Sequence, residues 1–367
     1  MKGEKLSNKT ILITGGTGSW GQELTRQLFQ QYDPKEVRIF SRGEHKQVEM
    51  KRLFQNSRIR YFIGDVRDKE RLRVASQGVD VIIHLAALKH VPVCEENPWE
   101  AVKTNILGTQ HIIDIAQEQG VSLVVDVSTD KAVDPHNLYG VTKACGEKLM
   151  IAANLTSSRT RFVCVRGGNV LGTMGSVVPL FIEQIRRANE ITLTDPSMSR
   201  FFMRLSEAIG LVLTAVEKSV GGEIFVMKMP GCKISDLADT LISKLGDKKT
   251  IVKNIGMRPG EKMSEILVSK YETSRTYDYG KYYVIVPQIP LPTTKKYYIN
   301  KKLPKISLKE YDSENTFQLT KVQLLELLTK DGWFDSNNNS PYDYLKSIKK
   351  KDLLQFFASE GWSPPKP

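Results

Sequence analysis

The first two-thirds of the chain alternates short, β-branched apolar runs with longer stretches whose apolar residues recur at helical spacing. The runs predict strands at Thr10–Thr14, Val37–Ser41, Arg60–Gly64, Val79–Leu85, Leu123–Ser128 and Arg161–Arg166. The stretches between them predict helices such as Gly21–Gln31, Pro98–Gln119 and Tyr139–Asn154. Strands that alternate with helical segments build parallel sheets. Ile11-Leu12-Ile13 and Val81-Ile82-Ile83 are apolar at consecutive positions, so both faces of those strands need cover. The predicted fold is α/β, a doubly wound parallel sheet with helices on each side.

After Val170 the rhythm changes. The pattern predicts a loop at Gly172–Gly175, a helix over Val177–Asn189, and a polar, irregular stretch over Asp195–Arg204. A strand–helix pair follows at Ile224–Met229 and Ile234–Leu245, then a turn-and-helix segment over Gly256–Val268. This profile predicts a smaller second domain facing the carboxyl edge of the sheet. The expected division gives 1–172 to the large domain, with 203–229 returning to it, and 173–202 plus 230–290 to the smaller one. Residues 291–367 read as a polar, Lys-rich appendage with amphipathic stretches at Lys321–Leu328 and Tyr344–Phe357.

Composition narrows the class. Of 367 residues, 40% are hydrophobic and 26% charged, which excludes collagen-like, disordered and coiled-coil chains. No stretch approaches the roughly 18 uninterrupted apolar residues of a membrane helix, and Met1–Asn8 lacks the apolar core of a secretory signal. A cytoplasmic protein without membrane partners is expected. Cys94, Cys145, Cys164 and Cys232 form no Cys-x-x-Cys clip and read as buried free thiols, so no metal is expected. The net charge of +12 is spread along the chain, Lys349-Lys350-Lys351 being its one dense run. With no nucleic-acid module in the sequence, that charge points to a small phosphate-bearing ligand rather than to nucleic acid.

The first strand supplies a candidate site for such a ligand. Ile11-Leu12-Ile13-Thr14 runs directly into Gly15-Gly16-Thr17-Gly18-Ser19-Trp20-Gly21, a strand passing through a glycine-rich turn into a helix. Glycines at 15, 18 and 21 allow a tight turn, close approach of backbone to a pyrophosphate, and contact of helix with strand. The helix N-terminus then offers free N–H groups to the phosphates. On the first junction of a βαβ chain this predicts a nicotinamide dinucleotide site and makes 1–172 the dinucleotide-binding domain. At the end of the second strand stand Ser41 and Arg42, with Lys46 one turn on, where an acidic residue would take a ribose 2′-hydroxyl. A hydroxyl, a guanidinium and an ammonium suit a 2′-phosphate, so NADP is expected, with Glu44 leaving NAD open. Asp65-Val66, ending the third strand, is placed to touch the adenine.

The fifth strand ends in Val127-Ser128-Thr129-Asp130-Lys131, and Tyr139-Gly140-Val141-Thr142-Lys143 opens the next helix. Tyr139 and Lys143 are four apart and share a helical face. A tyrosine is a poor base at neutral pH, but a neighbouring ammonium and the nicotinium charge favour its phenolate, which can take a hydroxyl proton as hydride leaves.

These motifs together resemble the extended short-chain dehydrogenase/reductases that act on nucleotide sugars. Ser41-Arg42-x-Glu44, Gly64-Asp65-Val66-Arg67-Asp68, Ala86-Ala87-Leu88-Lys89-His90-Val91-Pro92 and Ser128-Thr129-Asp130-Lys131-Ala132 resemble the inverting UDP-N-acetylglucosamine 4,6-dehydratases of pseudaminic-acid and capsule pathways. Gly168-Asn169-Val170-Leu171-Gly172, Gly175-Ser176-Val177-Val178-Pro179-Leu180-Phe181, Arg200-Phe201-Phe202-Met203 and Arg258-Pro259-Gly260-Glu261-Lys262 fit the same family, and Tyr311-x-Ser313-x-Asn315 is similar to it.

The resemblance implies a reaction in three parts: C4 of the hexose is oxidised, water leaves across C5 and C6, and hydride returns to C6. Tyr139 would take the O4 proton, Lys131 the C5 proton, and Asp130 would protonate the departing O6, with Thr129 and Lys143 completing the catalytic group. Burial is expected to move Lys131 down and Asp130 up toward neutrality. The resemblance also implies cofactor contacts from Gly15, Thr17, Gly18, Ser19, Trp20, Gly21, Ala86 and Lys89, and substrate contacts from Lys89, Asn169, Val178, Arg200, Arg258 and Glu261. It makes 173–202 and 230–290 the nucleotide-sugar domain and implies a homo-oligomer, a hexamer. His84, His90 and His111 read as structural, and Trp99, Trp333 and Trp362 as packing residues. The chain departs from the family at Gly167, where an aromatic is usual, at Met263-Ser264-Glu265 in place of Leu-His-Glu, and at Gly43, where an acid is common. A 4-epimerase, a dehydratase of another nucleotide sugar, and a non-catalytic NADP-binding protein stay open at this point.

Overall fold

The structure, a computed structural model, describes residues 4–171 and 176–334. The loop expected at Gly172–Gly175, the stretch Tyr344–Phe357, the Lys349–Lys351 run and Trp362 lie outside the described residues. In chain order the elements begin β1 (Thr10–Thr14), α1 (Ser19–Gln31), β2 (Glu36–Ser41), α2 (Glu44–Phe54), β3 (Ile59–Ile63), α3 (Lys69–Ser76), β4 (Val81–His84), α4 (Val91–Glu96) and α5 (Pro98–Val102). A π-helical turn at Lys103–Leu107 leads to α6 (Gly108–Gln119), β5 (Leu123–Thr129), α7 (Leu138–Thr156), β6 (Arg161–Gly167), β7 (Asn169–Val170) and α8 (Val177–Ala188). Then come β8 (Glu190–Leu193), β9 (Ser199–Met203), α9 (Leu205–Lys218), β10 (Ile224–Met227), β11 (Gly231–Lys233), α10 (Ile234–Leu245), β12 (Ile251–Asn254) and β13 (Ile266–Val268). The last are β14 (Thr276–Tyr279), β15 (Tyr282–Ile285), α11 (Pro292–Asn300), β16 (Tyr311–Asp312) and α12 (Lys321–Lys330).

A nine-stranded sheet in the order β14-β15-β10-β6-β5-β4-β1-β2-β3 organises the chain. From β10 to β3 its neighbours pair in parallel, and β15 and β14 add an antiparallel edge. Alternation within the central strands feeds two cores. Leu12, Ile82 and Val124 face one, and Ile11, Ile13, Val81 and Val125 face the other. The chain builds outward from β1 through β2 and β3, then returns to β4 on the other side of β1. That reversal puts a topological switch point between β1 and β4 at the carboxyl ends of the strands, where ligands bind in such sheets.

Four expectations change. Ser199–Met203 is a fully buried strand rather than irregular chain, because Phe201, Phe202 and Met203 are drawn inside while β11 and β7 satisfy its backbone. Gly256–Val268 has the expected turn but no helix: Pro259 and Gly260, the latter at φ +80°, make a turn closed by the Glu261 N–H on the Arg258 carbonyl (3.1 Å), and irregular chain runs on to β13. Residues 276–285 join the large sheet, not the smaller domain. The stretch after 290, as far as it is described, packs inward: Tyr298 enters the large core, while Leu324, Leu328 and Trp333 complete the small one with α8 and α10. Smaller differences are that Trp99 is exposed and Cys145 only half-buried. Among the described residues no helix is long and apolar enough to cross a membrane, and no cluster of His, Cys, Asp and Glu could hold a metal ion.

The helix expected over Pro98–Gln119 is interrupted by the π-helical turn, which turns Asn105 inward. Its amide accepts from the Leu88 N–H (2.8 Å) and donates to the Leu88 carbonyl (2.9 Å) and Thr142 Oγ1 (3.0 Å), fixing the loop after β4 to α7. Buried charge ties α7 to the rest. Arg166 on β6 pairs with Glu147 of α7 (2.7 Å) and Glu272 before β14 (2.8 Å), and donates to the Leu267 carbonyl on β13. His84 ends β4, sealed between Thr14 Oγ1 (2.7 Å) and Thr109. Burial lowers its pKa to about 4; nearby Asp126 opposes the shift and Lys143 adds to it.

Two predictions follow from this packing. Replacing Arg166 with Leu strands two carboxylates, and should cost about 3–5 kcal/mol in denaturant unfolding, whereas a substitution of exposed Arg187 should cost almost nothing. His84 is neutral when folded and titrates normally when unfolded, so its contribution is intact above the unfolded pKa. Stability should therefore fall as pH drops from about 6.5 toward 4, by roughly 3 kcal/mol in all. A His84→Asn variant should lose that part of the pH dependence in thermal melts.

Candidate active site

The loop after β1 depends on glycine for two reasons. Gly15 adopts φ +66°, and a Cβ there would stand 2.9 Å from the Ala86 nitrogen on the loop after β4. A Cβ on Gly21 would meet the Gly16 carbonyl oxygen at 2.2 Å, so α1 can lie against the turn only with hydrogen at that position. The Gly18 N–H donates to the Gly15 carbonyl at 3.0 Å, and no side chain caps the α1 N-terminus that Gly18 and Ser19 begin. Gln22 donates to the Thr17 carbonyl at 2.9 Å and stiffens the turn. A pyrophosphate fits this cradle: its backbone can approach closely, and the helix presents first-turn amides. Trp20 packs half-buried on both cores. At Gly167, where the chain departs from the family, a Cβ would stand 3.2 Å from Met203 Sδ and 3.8 Å from the Trp20 ring.

At the ends of β2 and β3, Ser41 is held by buried Gln47, whose side-chain amide donates to the Ser41 hydroxyl (3.0 Å), the Ser41 carbonyl and the Phe62 carbonyl. Arg42 and Lys46 extend into solvent around the start of α2. Asp65 is engaged by Arg67 through two N–H groups, at 2.9 and 2.6 Å, with Arg42 at 4.0 Å. Burial pulls the Asp65 carboxyl up, but the hydrogen bonds and charge of Arg67 outweigh it and hold it below its ordinary value. Val66 is buried against Gly108. The Ala86 N–H donates to Thr14 Oγ1 at 3.3 Å, and Lys89 follows on the same loop.

The catalytic candidates gather where β5 ends and α7 begins. Asn137 caps α7 by accepting from the Gly140 N–H (2.8 Å). A Cβ on Gly140 would come 2.1 Å from the Lys131 carbonyl oxygen, so this glycine lets the helix lie against the Asp130–Lys131 turn. Lys143 Nζ sits 3.2 Å from both oxygens of Asp126, an aspartate wholly buried on β5. Burial works against the Lys143 ammonium, yet Asp126 more than compensates and holds its pKa above normal. Tyr139 hydrogen-bonds to Thr129; burial raises its pKa, and the charges of Lys143 and Lys131 only partly offset this.

Thr129 donates to Asp130 Oδ1 (2.8 Å), and Lys131 Nζ lies 3.1 Å from that same oxygen. Lys131 also lies 3.1 Å from Glu265 Oε1, and Arg200 Nε approaches that Glu265 oxygen at 3.7 Å. The expected downward shift of Lys131 does not occur. Burial acts in that direction, but the carboxylates of Asp130 and Glu265 prevail over it and over Arg200, and its pKa is raised. The group rests as an ammonium.

The remaining expected substrate residues are spread around the small domain. Asn169 lies on β7 opposite Phe202. The Val178 side chain is sealed in the small core, leaving only its backbone in the first turn of α8 to meet a ligand. Arg200 turns inward, donating to the Ser199 (2.7 Å) and Met263 (3.2 Å) carbonyls beside Glu265. Arg258 is exposed, its N–H donating to Glu261. Asn137 donates to the Gly260 carbonyl (2.9 Å) and Lys262 to the Val133 carbonyl (2.7 Å), docking this loop on the α7 entrance. Glu265, Lys262, Asp126 and Gln47 were not among the expected site residues. No local spacing links them to the motifs; only Glu265 and Lys262 lie in segments compared with the family.

Residues 11–287 match a family described as polysaccharide biosynthesis protein. A Campylobacter jejuni protein named UDP-N-acetylglucosamine 4,6-dehydratase (inverting) is 44% identical over 97% of this chain and 99% of its own. A UDP-glucose 4-epimerase of Rickettsia canadensis is 43% identical over 88% of this chain and 95% of its own. Among solved structures, Pen from Bacillus thuringiensis superposes with a TM-score of 0.83 at 37% identity, covering 89% of this chain and 99% of that one.

Proposed function

This chain belongs to the polysaccharide biosynthesis protein family, and we infer that it dehydrates UDP-N-acetylglucosamine across C5 and C6 with inversion at C5. The product is UDP-2-acetamido-2,6-dideoxy-β-L-arabino-hex-4-ulose. The observation that carries the reading is the Lys131–Asp130 contact at 3.1 Å beside Tyr139. Elimination needs an acid and a base beyond the tyrosine that takes the carbinol proton; epimerisation needs neither.

A bound nicotinamide dinucleotide supplies a reversible hydride acceptor, held by Gly15, Thr17, Gly18, Ser19, Trp20 and Gly21 with Ala86 and Lys89. Tyr139 takes the O4 proton, its phenolate favoured by Lys143, which Asp126 keeps charged and in place. Once C4 is a carbonyl the C5 proton is acidic enough for Lys131 to take, while Asp130 gives its proton to the departing O6. The raised pKa of Lys131 opposes this role at rest, so the base has to be made at the site. The proton that Nζ must lose is the one Asp130 must gain, and a single transfer across 3.1 Å makes both the base and the acid. The UDP diphosphate is assigned to Lys89, Asn169, Arg258 and the Val178 amide, and a ribose hydroxyl to Glu261. Arg200, turned toward Glu265, serves the catalytic cluster instead. The enzyme is proposed to be cytoplasmic and homo-oligomeric, a hexamer.

NADP is the proposed form of the cofactor, because Ser41, Arg42 and Lys46 surround the uncapped start of α2 and Asp65 is already engaged by Arg67. NADP should co-purify or bind more tightly than NAD, and Arg42→Asp should erase the preference in titrations of both; equal affinities of the native protein would refute the assignment.

Mass spectrometry of the product decides the reaction. Dehydration removes one water, 4-epimerisation (the activity named for the Rickettsia relative) leaves the mass unchanged, and a binding protein turns nothing over. Lys131→Ala should lose about 10²- to 10⁴-fold in turnover yet still oxidise C4, whereas Tyr139→Phe should fail at oxidation. In heavy water the native product should carry deuterium at C5 with inverted configuration. A product that keeps the original C5 configuration would remove Lys131 from this role.

A further inference from the structure

We propose that Glu265 is a positioning residue for Lys131, holding Nζ in place and balancing the charge that forms there when Lys131 takes the C5 proton. This rests on the dehydration inferred above. Asp130 alone cannot do both jobs. To protonate O6 it must carry its proton while Lys131 is receiving one, and at that moment its charge is absent. Among the described residues that contact Nζ, Glu265 is then the carboxylate left to meet the new ammonium. The balance is complete. The C5–H bond breaks and its proton goes to Nζ; its electron pair forms C5=C6; the C6–O6 pair leaves with oxygen, which takes the Asp130 proton and departs as water.

Glu265 is built for this position rather than carried there by chance. Its side chain is 3% exposed, and Oε2, the oxygen not facing Lys131, is buried with no hydrogen-bond partner. A buried carboxylate is costly unless it meets a cation. Its backbone is clamped from both sides: the N–H donates to Ser313 Oγ (2.9 Å), and the carbonyl accepts from the Ser313 N–H (2.8 Å). Ser313 Oγ in turn meets Ser199 Oγ (2.7 Å) on β9, and Asp312 accepts the Glu314 and Asn315 N–H groups, shaping the turn. The Tyr311–Asn315 segment therefore acts as a bracket for a residue far from it in sequence. The charged and titratable groups that face the pair are Asp130 on the β5 turn, Tyr139 on α7, Arg200 on β9, and Lys262 on the same loop as Glu265. A fixed carboxylate that orients a proton acceptor is a recurring catalytic device.

The test compares native enzyme, Glu265→Gln, Glu265→Asp, Lys131→Ala and the Lys131→Ala/Glu265→Gln double variant for water loss by mass spectrometry across pH. Glu265→Gln should lower kcat by about 10²-fold with KM little changed, and Glu265→Asp should recover part of it. The alkaline limb of the kcat profile should move to lower pH in Glu265→Gln, since Nζ yields its proton more readily to solvent with one carboxylate than with two. In the Lys131→Ala background the Glu265→Gln change should cost nothing further, because its effect runs through Nζ. Near-native kcat with an unmoved alkaline limb, or an equal loss in both backgrounds, overturns the proposal. If Glu265→Gln does not melt as a folded protein, Ser313→Ala and Glu265→Asp carry the same comparison: a lowered kcat with a moved limb supports it, and native behaviour overturns it. A native enzyme whose product keeps the substrate mass removes the dehydration itself, and this proposal with it. One that loses water while Glu265→Gln matches it removes only the role of Glu265.

Discussion

A lysine ammonium set between two buried carboxylates has to be approached from several parts of the chain at once. Lys131 and Asp130 arrive at the end of β5, Glu265 on the segment leading into β13, and Arg200 on β9. Desolvating these groups is costly, and the cost is met only when each charge finds its partner at short range. The large sheet, the small domain and the turn around Ser313 must all be in register for that to happen. The site is therefore complete only in the fully packed fold.

Helix α7 is the element through which most of this register passes. Its start carries Tyr139 and Gly140 against the Lys131 turn, and its third turn carries Glu147 to Arg166. Between them Lys143 reaches Asp126 on the strand beneath. Each pair would be unfavourable if half-formed, since a lone buried charge keeps its desolvation cost and loses its compensation. Two such pairs, with the close contact at Gly140, leave little freedom for the helix to slide or rotate. That rigidity matters for the proposed chemistry, in which Tyr139 and Lys131 come from different elements and have to converge on one sugar ring.

Glycine serves the opposite need, closeness without a side chain. At Gly15 the loop after β1 touches the loop after β4, and at Gly21 the helix touches the turn that precedes it. Gly140 does the same for the Asp130–Lys131 turn. In each place a methyl group would stand 3 Å or less from backbone atoms, so these contacts separate a functional crevice from a merely parallel sheet.

Local pattern was enough for the central strands, the dinucleotide turn and the Tyr139–Lys143 spacing, because each rests on periodicity or backbone sterics within one short segment. The family segments around Asp130, Asn169 and Arg258 were equally legible, and they led to the reaction class. Tertiary structure decided what those segments face. It drew Ser199–Met203 into a buried strand despite its arginine, placed residues 276–285 in the large sheet, and packed Tyr298 into a core that its Lys-rich surroundings concealed. It also reversed the shift expected for Lys131. Burial could be anticipated from the position of the residue, but the second carboxylate comes from Glu265, more than a hundred residues away. A charge's environment depends on through-space distance, and no spacing along the chain encodes it.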